Sequence, residues 1–221
     1  MTANIGLTVG DETKLAGIGT WLNSAFGEKL KREYAERKSE LICKFLRKDD
    51  RILDVGCGNP ETTDDHCTKV LMKYPNYFGC DLNPPVGEKF FKANLEKDDL
   101  SKLGKFDIVL CLDVLEHFRE PRKLARKLIA LSRREIIVVT PVISHKTMRR
   151  FMNSVRGLLG RQVFSGHYWD FFAGEVIDVF REMKVRNIYY GWLPIRFVSK
   201  LLFKVGIVRA GIFVFEKMDS T

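Results

Sequence analysis

Short apolar runs and stretches of helical period take turns along the middle of this chain. Arg51-Ile52-Leu53-Asp54 ends in an acid and passes through Val55 into the turn Gly56-Cys57-Gly58. Tyr77 to Asp81 is a second apolar run that also ends in a carboxylate. Lys89 to Ala93 is a short third, and Phe106 to Cys111 is a fourth that leads into Leu112-Asp113-Val114-Leu115-Glu116-His117. After Pro121, Leu124, Leu128 and Leu131 recur near the helical period with basic residues on the other face, which predicts an amphipathic helix. Ile136 to Val139 reads as a fifth buried strand closed by Thr140-Pro141, and Arg186 to Tyr190 and Gly211 to Phe215 read as the last two. Ahead of them all, Lys29 to Arg47 carries Leu30, Tyr34, Leu41 and Phe45 at roughly helical spacing, so a lid helix is expected across the sheet.

Strand and helix in alternation from Arg51 to Pro141 imply right-handed crossovers and a doubly wound α/β sheet with helices on both faces. The 221 residues, 45% of them hydrophobic, suit a single domain with a full core. Within it, residues 1–48 are expected to form the lid, 51–141 the ligand-binding core, and 144–170 and 192–209 two insertions. Met1 to Thr20 lacks the basic and apolar regions of a signal peptide, and no uncharged run is long enough to span a bilayer. A cytoplasmic location is the expectation. The five cysteines, Cys43, Cys57, Cys67, Cys80 and Cys111, form no Cys-x-x-Cys pair and read as reduced space-fillers. His66 and Cys67 are adjacent and poorly placed to share an ion, so no metal is expected.

The glycine turn carries the chemistry. Without a Cβ the backbone can turn sharply and approach a ligand, so Gly56 and Gly58 are expected to offer it their amides. A dinucleotide fingerprint would place a third glycine where Glu61 stands. Glu61 and Asp54 would repel a pyrophosphate and suit a cationic ligand. Asp81 lies at about the offset of a ribose-binding acid, where one charged acceptor can take both hydroxyl hydrogens.

Asp54-x-Gly56-x-Gly58, together with the fourth strand and Leu115-Glu116-His117, resembles the class I methyltransferases that use S-adenosylmethionine, in particular the small-molecule, ubiquinone-biosynthesis type. The resemblance implies a Rossmann-like, seven-stranded sheet, mostly parallel with an antiparallel last strand. It implies S-adenosylmethionine as cofactor, held by Asp54, Gly56, Cys57 and Gly58 in the loop, Asp81 and Leu82 after the second strand, Asn94 and Leu95 after the third, and Cys111 and Leu112 ending the fourth. Asn94 would accept the adenine amino hydrogen through its carbonyl; as a polar-loop residue beside Glu96, Asp98 and Asp99 it reads nearly as well. Pro60 replaces the family's third glycine, and Ser132-Arg133-Arg134 its usual Pro-Gly-Gly turn. Asn83-Pro84-Pro85 follows the second strand instead of the fourth, which disfavours methylation of a base amino group, and Cys111 lacks the neighbouring proline of cytosine carbon methyltransferases.

The net charge of +9 and pI of about 9.3 raise nucleic acid as a partner. Much of the excess lies in two segments where basic and apolar residues interleave at helical spacing, Ser144 to Gly166 and Lys184 to Arg209. Such helices either contact an anionic membrane surface or pack their apolar face on the sheet. Three functions remain open on this reading: methyl transfer to a small-molecule acceptor, including a lipidic one; RNA methylation; and a catalytically silent, membrane-surface partner protein of the same fold. Positioning alone can recover about 7 to 11 kcal/mol of barrier, and a general base adds a factor of about 10² to 10⁴. The candidate bases are His117 and His167, each of which also reads as a structural residue of its turn.

Overall fold

A computed structural model of the chain describes residues 25–59, 66–143, 168–191 and 208–218, together with Lys146, Arg149, Arg150 and Ser154. Helix α1 (Ala25–Cys43) precedes β1 (Ile52–Val55), α2 (His66–Leu71), β2 (Tyr77–Asp81), β3 (Phe90–Lys92) and β4 (Phe106–Leu112). Helix α3 (Pro121–Leu131), β5 (Ser132–Ile143), α4 (Ala173–Val179), β6 (Lys184–Gly191) and β7 (Val208–Glu216) follow. The seven strands form one sheet in the order β3-β2-β1-β4-β5-β7-β6. Strands β1 to β5 pair in parallel, and β7 runs antiparallel to both neighbours. The order reverses between β1 and β4, so the crevice beyond their carboxyl ends is where a sheet of this kind binds ligands.

Two apolar layers hold the helices on either face. Leu53, Val55, Val109, Cys111, Ile136, Val138 and Phe213 pack with α3 and α4 residues such as Leu124, Leu128 and Val176. Ile52, Tyr77, Ile108, Leu110, Ile137, Val139 and Val214 pack with Ala35 and Ile42 of α1 and Cys67 and Leu71 of α2. Strands covered on both sides read as continuous apolar runs, and every residue of β1 is buried. Among the described residues no helix is long and apolar enough to cross a membrane.

The largest differences in extent from the sequence expectation are in β5 and α1. The segment Ser132-Arg133-Arg134 is the start of β5 and not a preceding turn. The Ser132 amide caps α3 on the Leu128 carbonyl, and its hydroxyl donates to the Glu135 carbonyl at 3.0 Å, so the chain turns without glycine. β5 continues to Ile143 because β7 pairs with it through Ile143 and Val208. Helix α1 begins and ends four residues earlier than Lys29 and Arg47. The segments 144–170 and 192–209 lie mostly outside the described residues.

The amino end of the sheet is closed by an ion pair between the α1–β1 connection and β5. Arg134 donates to both oxygens of Asp50, at 2.7 and 2.8 Å, and Asp50 is buried. Burial by itself would raise the Asp50 carboxyl; the bonds from Arg134 and from the Arg47 amide bring it below its ordinary value. A depressed acid stabilises the fold above its unfolded pKa, and that contribution is lost as pH falls through the folded value. Arg134→Ala is therefore expected to cost about 2 to 3 kcal/mol at pH 7, less than for a fully buried pair because Arg134 is partly exposed. In urea denaturation the cost should shrink below pH 4; a cost equal at pH 3 and pH 7 would contradict the assignment.

Candidate active site

The site is built where β1, β2 and β4 end side by side. Leaving β1, the chain turns through Gly56 and Gly58 at φ of +78° and +63°, a region that favours glycine. Space matters as well, since a Cβ on Gly56 would lie 2.4 Å from a methyl of Val114. The first three amides of the turn are spent on β2. Gly56 and Cys57 both donate to the Cys80 carbonyl, at 2.8 and 3.3 Å, and Gly58 donates to Asp81 Oδ2 at 3.1 Å. The expectation that Gly56 and Gly58 present free amides to a ligand is thereby corrected: they fix the loop to the neighbouring strand.

Asp81 is half-buried at the tip of β2. Its second oxygen accepts the Asn83 amide at 3.0 Å, so each carboxylate oxygen holds one internal bond and keeps a lone pair for a ligand. The Asp81 carbonyl accepts the Ala93 amide at 2.8 Å, which brings Asn94 and Leu95 alongside. Leu82 is exposed and Leu95 buried. The Asn94 side-chain carbonyl accepts the amides of Glu96 and Lys97, at 3.0 and 3.2 Å, and so braces its own loop; its amide nitrogen is the group left to turn outward.

Asp54 is buried at the β1 end, between Gly79 and Leu110 on the neighbouring strands, and accepts the Tyr77 hydroxyl at 2.8 Å. Burial, with Asp54 close by, raises the thiols of Cys57 and Cys80, the latter to about 12. Burial likewise raises Cys111, and the charge of Glu116 adds to it. Thiols held in this way pack and do not react. Among the described residues no three His, Cys, Asp or Glu side chains gather as a metal site would require.

Beyond β4 the structure adds Lys38 and Asp113 to the site and shows what surrounds Glu116 and His117 of the motif. Asp113 holds a positive φ of 55°, its amide bonded to the Val139 carbonyl at 2.8 Å. Its carboxylate pairs at 2.9 Å with Lys38, a buried lysine of α1. Lys38 was legible in principle, because it falls in the apolar stripe formed by Tyr34, Leu41 and Phe45. Glu116 is buried and accepts the Thr140 hydroxyl at 2.9 Å. Burial, with Asp113 nearby, pushes its carboxyl up to about 8. His117 closes the 3₁₀ turn Leu115–His117, half-buried. His167 lies outside the described residues; its neighbours Tyr168 and Trp169 donate their amides to the Glu116 carbonyl, at 2.8 and 3.3 Å.

Acids at the tips of β1, β2 and β4 around a glycine bend, on a sheet whose seventh strand alone runs antiparallel, define the Rossmann-like methyltransferase class. The comparisons agree. No curated protein matches the chain, whereas a family described as methyltransferase domain matches residues 26–188. The YcgJ protein of Bacillus subtilis shares the fold with a TM-score of 0.59 at 16% identity, over 84% of this chain and all of that one. Magnesium protoporphyrin IX methyltransferase of Synechocystis PCC 6803, solved with bound S-adenosylhomocysteine, superposes with a TM-score of 0.56 at 14% identity, over 85% of this chain and 83% of its own. The [4+2]-cyclase SpnF has a TM-score of 0.56 at 12% identity, over 82% and 80% of the two chains. The chain belongs to the methyltransferase-domain family and is a class I, S-adenosylmethionine-dependent methyltransferase by that membership.

The raised Glu116 carboxyl gives a pH signature. A folded pKa above the unfolded value means that the stabilising effect is complete below about 4.5 and is lost as pH rises toward about 8. Glu116→Gln stays neutral throughout. The unfolding free energy of the wild type in urea denaturation should therefore fall relative to the variant between pH 5 and 8, by at most about 1.4 kcal/mol per pH unit. Parallel profiles across that range would contradict the buried, protonated state.

Proposed function

We propose that this protein transfers the methyl group of S-adenosylmethionine to a small-molecule acceptor, with lipidic acceptors in that class. The observation that carries the reading is the Asp81 carboxylate, held at the tip of β2 by the Gly58 and Asn83 amides with one lone pair per oxygen left over. That arrangement fits the two hydroxyls of a ribose. Leu82 and Leu95 offer apolar surface for an adenine, and the Asn94 nitrogen can donate to it. The backbone at Gly56, Cys57 and Gly58 allows close approach, while Cys111 and Leu112 wall the β4 side.

The donor supplies an electrophilic methyl group on a sulfonium. The chain answers its positive charge with Asp54 and Asp113, and Lys38 keeps Asp113 in place. Glu116, neutral up to about pH 8, adds a hydrogen-bonding group without a further charge at that end. His117 is the candidate base on the β4 side and His167 the candidate on the segment that follows β5; either would take a proton from an acceptor hydroxyl near neutral pH. Acids at this end repel a phosphate backbone, which supports a small neutral or cationic acceptor over RNA. The basic segments behind the RNA and membrane readings lie largely outside the described residues. The resemblance of Leu115-Glu116-His117 to the ubiquinone type supports a lipidic acceptor.

Calorimetric titration with S-adenosylhomocysteine tests the donor site. Asp81→Ala is expected to weaken binding by about 10- to 100-fold, the loss of charge-assisted bonds worth about 1.5 to 3 kcal/mol. No binding by the wild type, or equal binding by the variant, would overturn the assignment. Incubating the wild type and a cell extract with labelled donor is expected to place label in an organic-extractable small product; label confined to RNA would exclude that acceptor class.

A further inference from the structure

The loop after β3 is stapled to α3 by one side chain. Lys127 Nζ donates to three backbone carbonyls of that loop, Leu95 at 2.8 Å, Glu96 at 3.2 Å and Asp98 at 2.8 Å. An ammonium has three N–H donors, so the three carbonyls match its full capacity. The rest of the loop is closed on itself. The Asn94 amide donates to Asp98 Oδ2 at 2.7 Å, the Asn94 side-chain carbonyl accepts from Glu96 and Lys97, and the Asn94 backbone carbonyl accepts from Lys97 and Asp98 at 3.1 and 2.8 Å. The loop's upstream end is fastened to Asp81 through the Ala93 amide. With Lys127 at its outer side, the segment from Ala93 to Asp98 has no free hinge between Asp81 and α3.

We propose that Lys127 is a positioning residue for the nucleoside end of the donor, acting through this loop without touching the ligand. The inference rests on the reading of Asp81, Asn94 and Leu95 as the donor site. A half-buried lysine on the helix next in sequence then sets how far Leu95 and the Asn94 nitrogen stand from Asp81, and so fixes the width of the slot for the adenine ring. Binding through a segment that holds the competent arrangement only part of the time is weakened by that fraction. If the released loop is competent about a tenth of the time, affinity falls about tenfold.

The test compares wild type, Lys127→Met, Lys127→Gln and Lys127→Arg in titrations with S-adenosylhomocysteine and with 5′-methylthioadenosine, which keeps the nucleoside and lacks the amino-acid tail. Lys127→Met keeps the apolar stem, and circular dichroism identifies the variants that remain folded. For Lys127→Met or Lys127→Gln, whichever is folded, both dissociation constants should rise about tenfold, with faster amide exchange at residues 94–99 in the free protein. Lys127→Arg should recover most of the loss. A lowered melting temperature with both affinities within twofold of wild type would show a purely structural lysine and overturn the proposal, as would a loss confined to S-adenosylhomocysteine. Failure of the wild type to bind either compound would instead sink the donor-site reading beneath it.

Discussion

Everything at the carboxyl end of this sheet depends on how the glycine bend after β1 is tied to β2. The Cys80 carbonyl receives two successive amides of the bend and the Asp81 carboxylate a third. Neither partner works without the other: the bend needs acceptors for amides that have left the β-ladder, and Asp81 needs donors to hold it upright at the strand tip. Side-chain space enforces the arrangement. Val114 occupies the place of a Gly56 Cβ, and Cys57 Sγ would come within 2.7 Å of a Cβ on Gly79. Small residues at both positions are thus what allow β1, β2 and the turn after β4 to converge on one point.

Convergence gathers acids, and the fold has to accommodate them. Tyr77 donates to one oxygen of Asp54, Lys38 from α1 pairs with Asp113, and Glu116 accepts the Thr140 hydroxyl and retains its proton. Each device differs, and each is reached from a different element. Asp81, half-buried, is the acid left with a spare lone pair on each oxygen. The lysine from α1 also makes the first helix part of the site's electrostatics and not only a cover for one sheet face.

Strands were legible because a parallel strand buried on both faces reads as an unbroken apolar run, and the bounds of β2 follow from Tyr77 to Asp81 directly. Helix α3 was legible from Leu124, Leu128 and Leu131, whose side chains are buried. The start of β5 was not, since Ser132, Arg133 and Arg134 look like a turn until the Ser132 hydroxyl and the Asp50 pair are known to hold them. Asn94 shows the limit of motif reading in the site. Its position relative to β3 is as expected, but the carbonyl suited to adenine is consumed by local amides, a competition that only coordinates reveal. The amides of Gly56 and Gly58 are taken by acceptors on β2, which the motif does not show. The roles of Lys38 and Lys127 are hard to read from sequence because their partners lie at least 29 residues away.

Asp81 and the bend it braces are proposed here as the nucleoside seat of a methyl donor. A crystal structure of the complex with S-adenosylhomocysteine tests it most directly. Ribose hydroxyls are expected within hydrogen-bond distance of both Asp81 oxygens, with the Gly58 bond intact. Ligand density elsewhere on the sheet, or a ribose with no contact to Asp81, would contradict it.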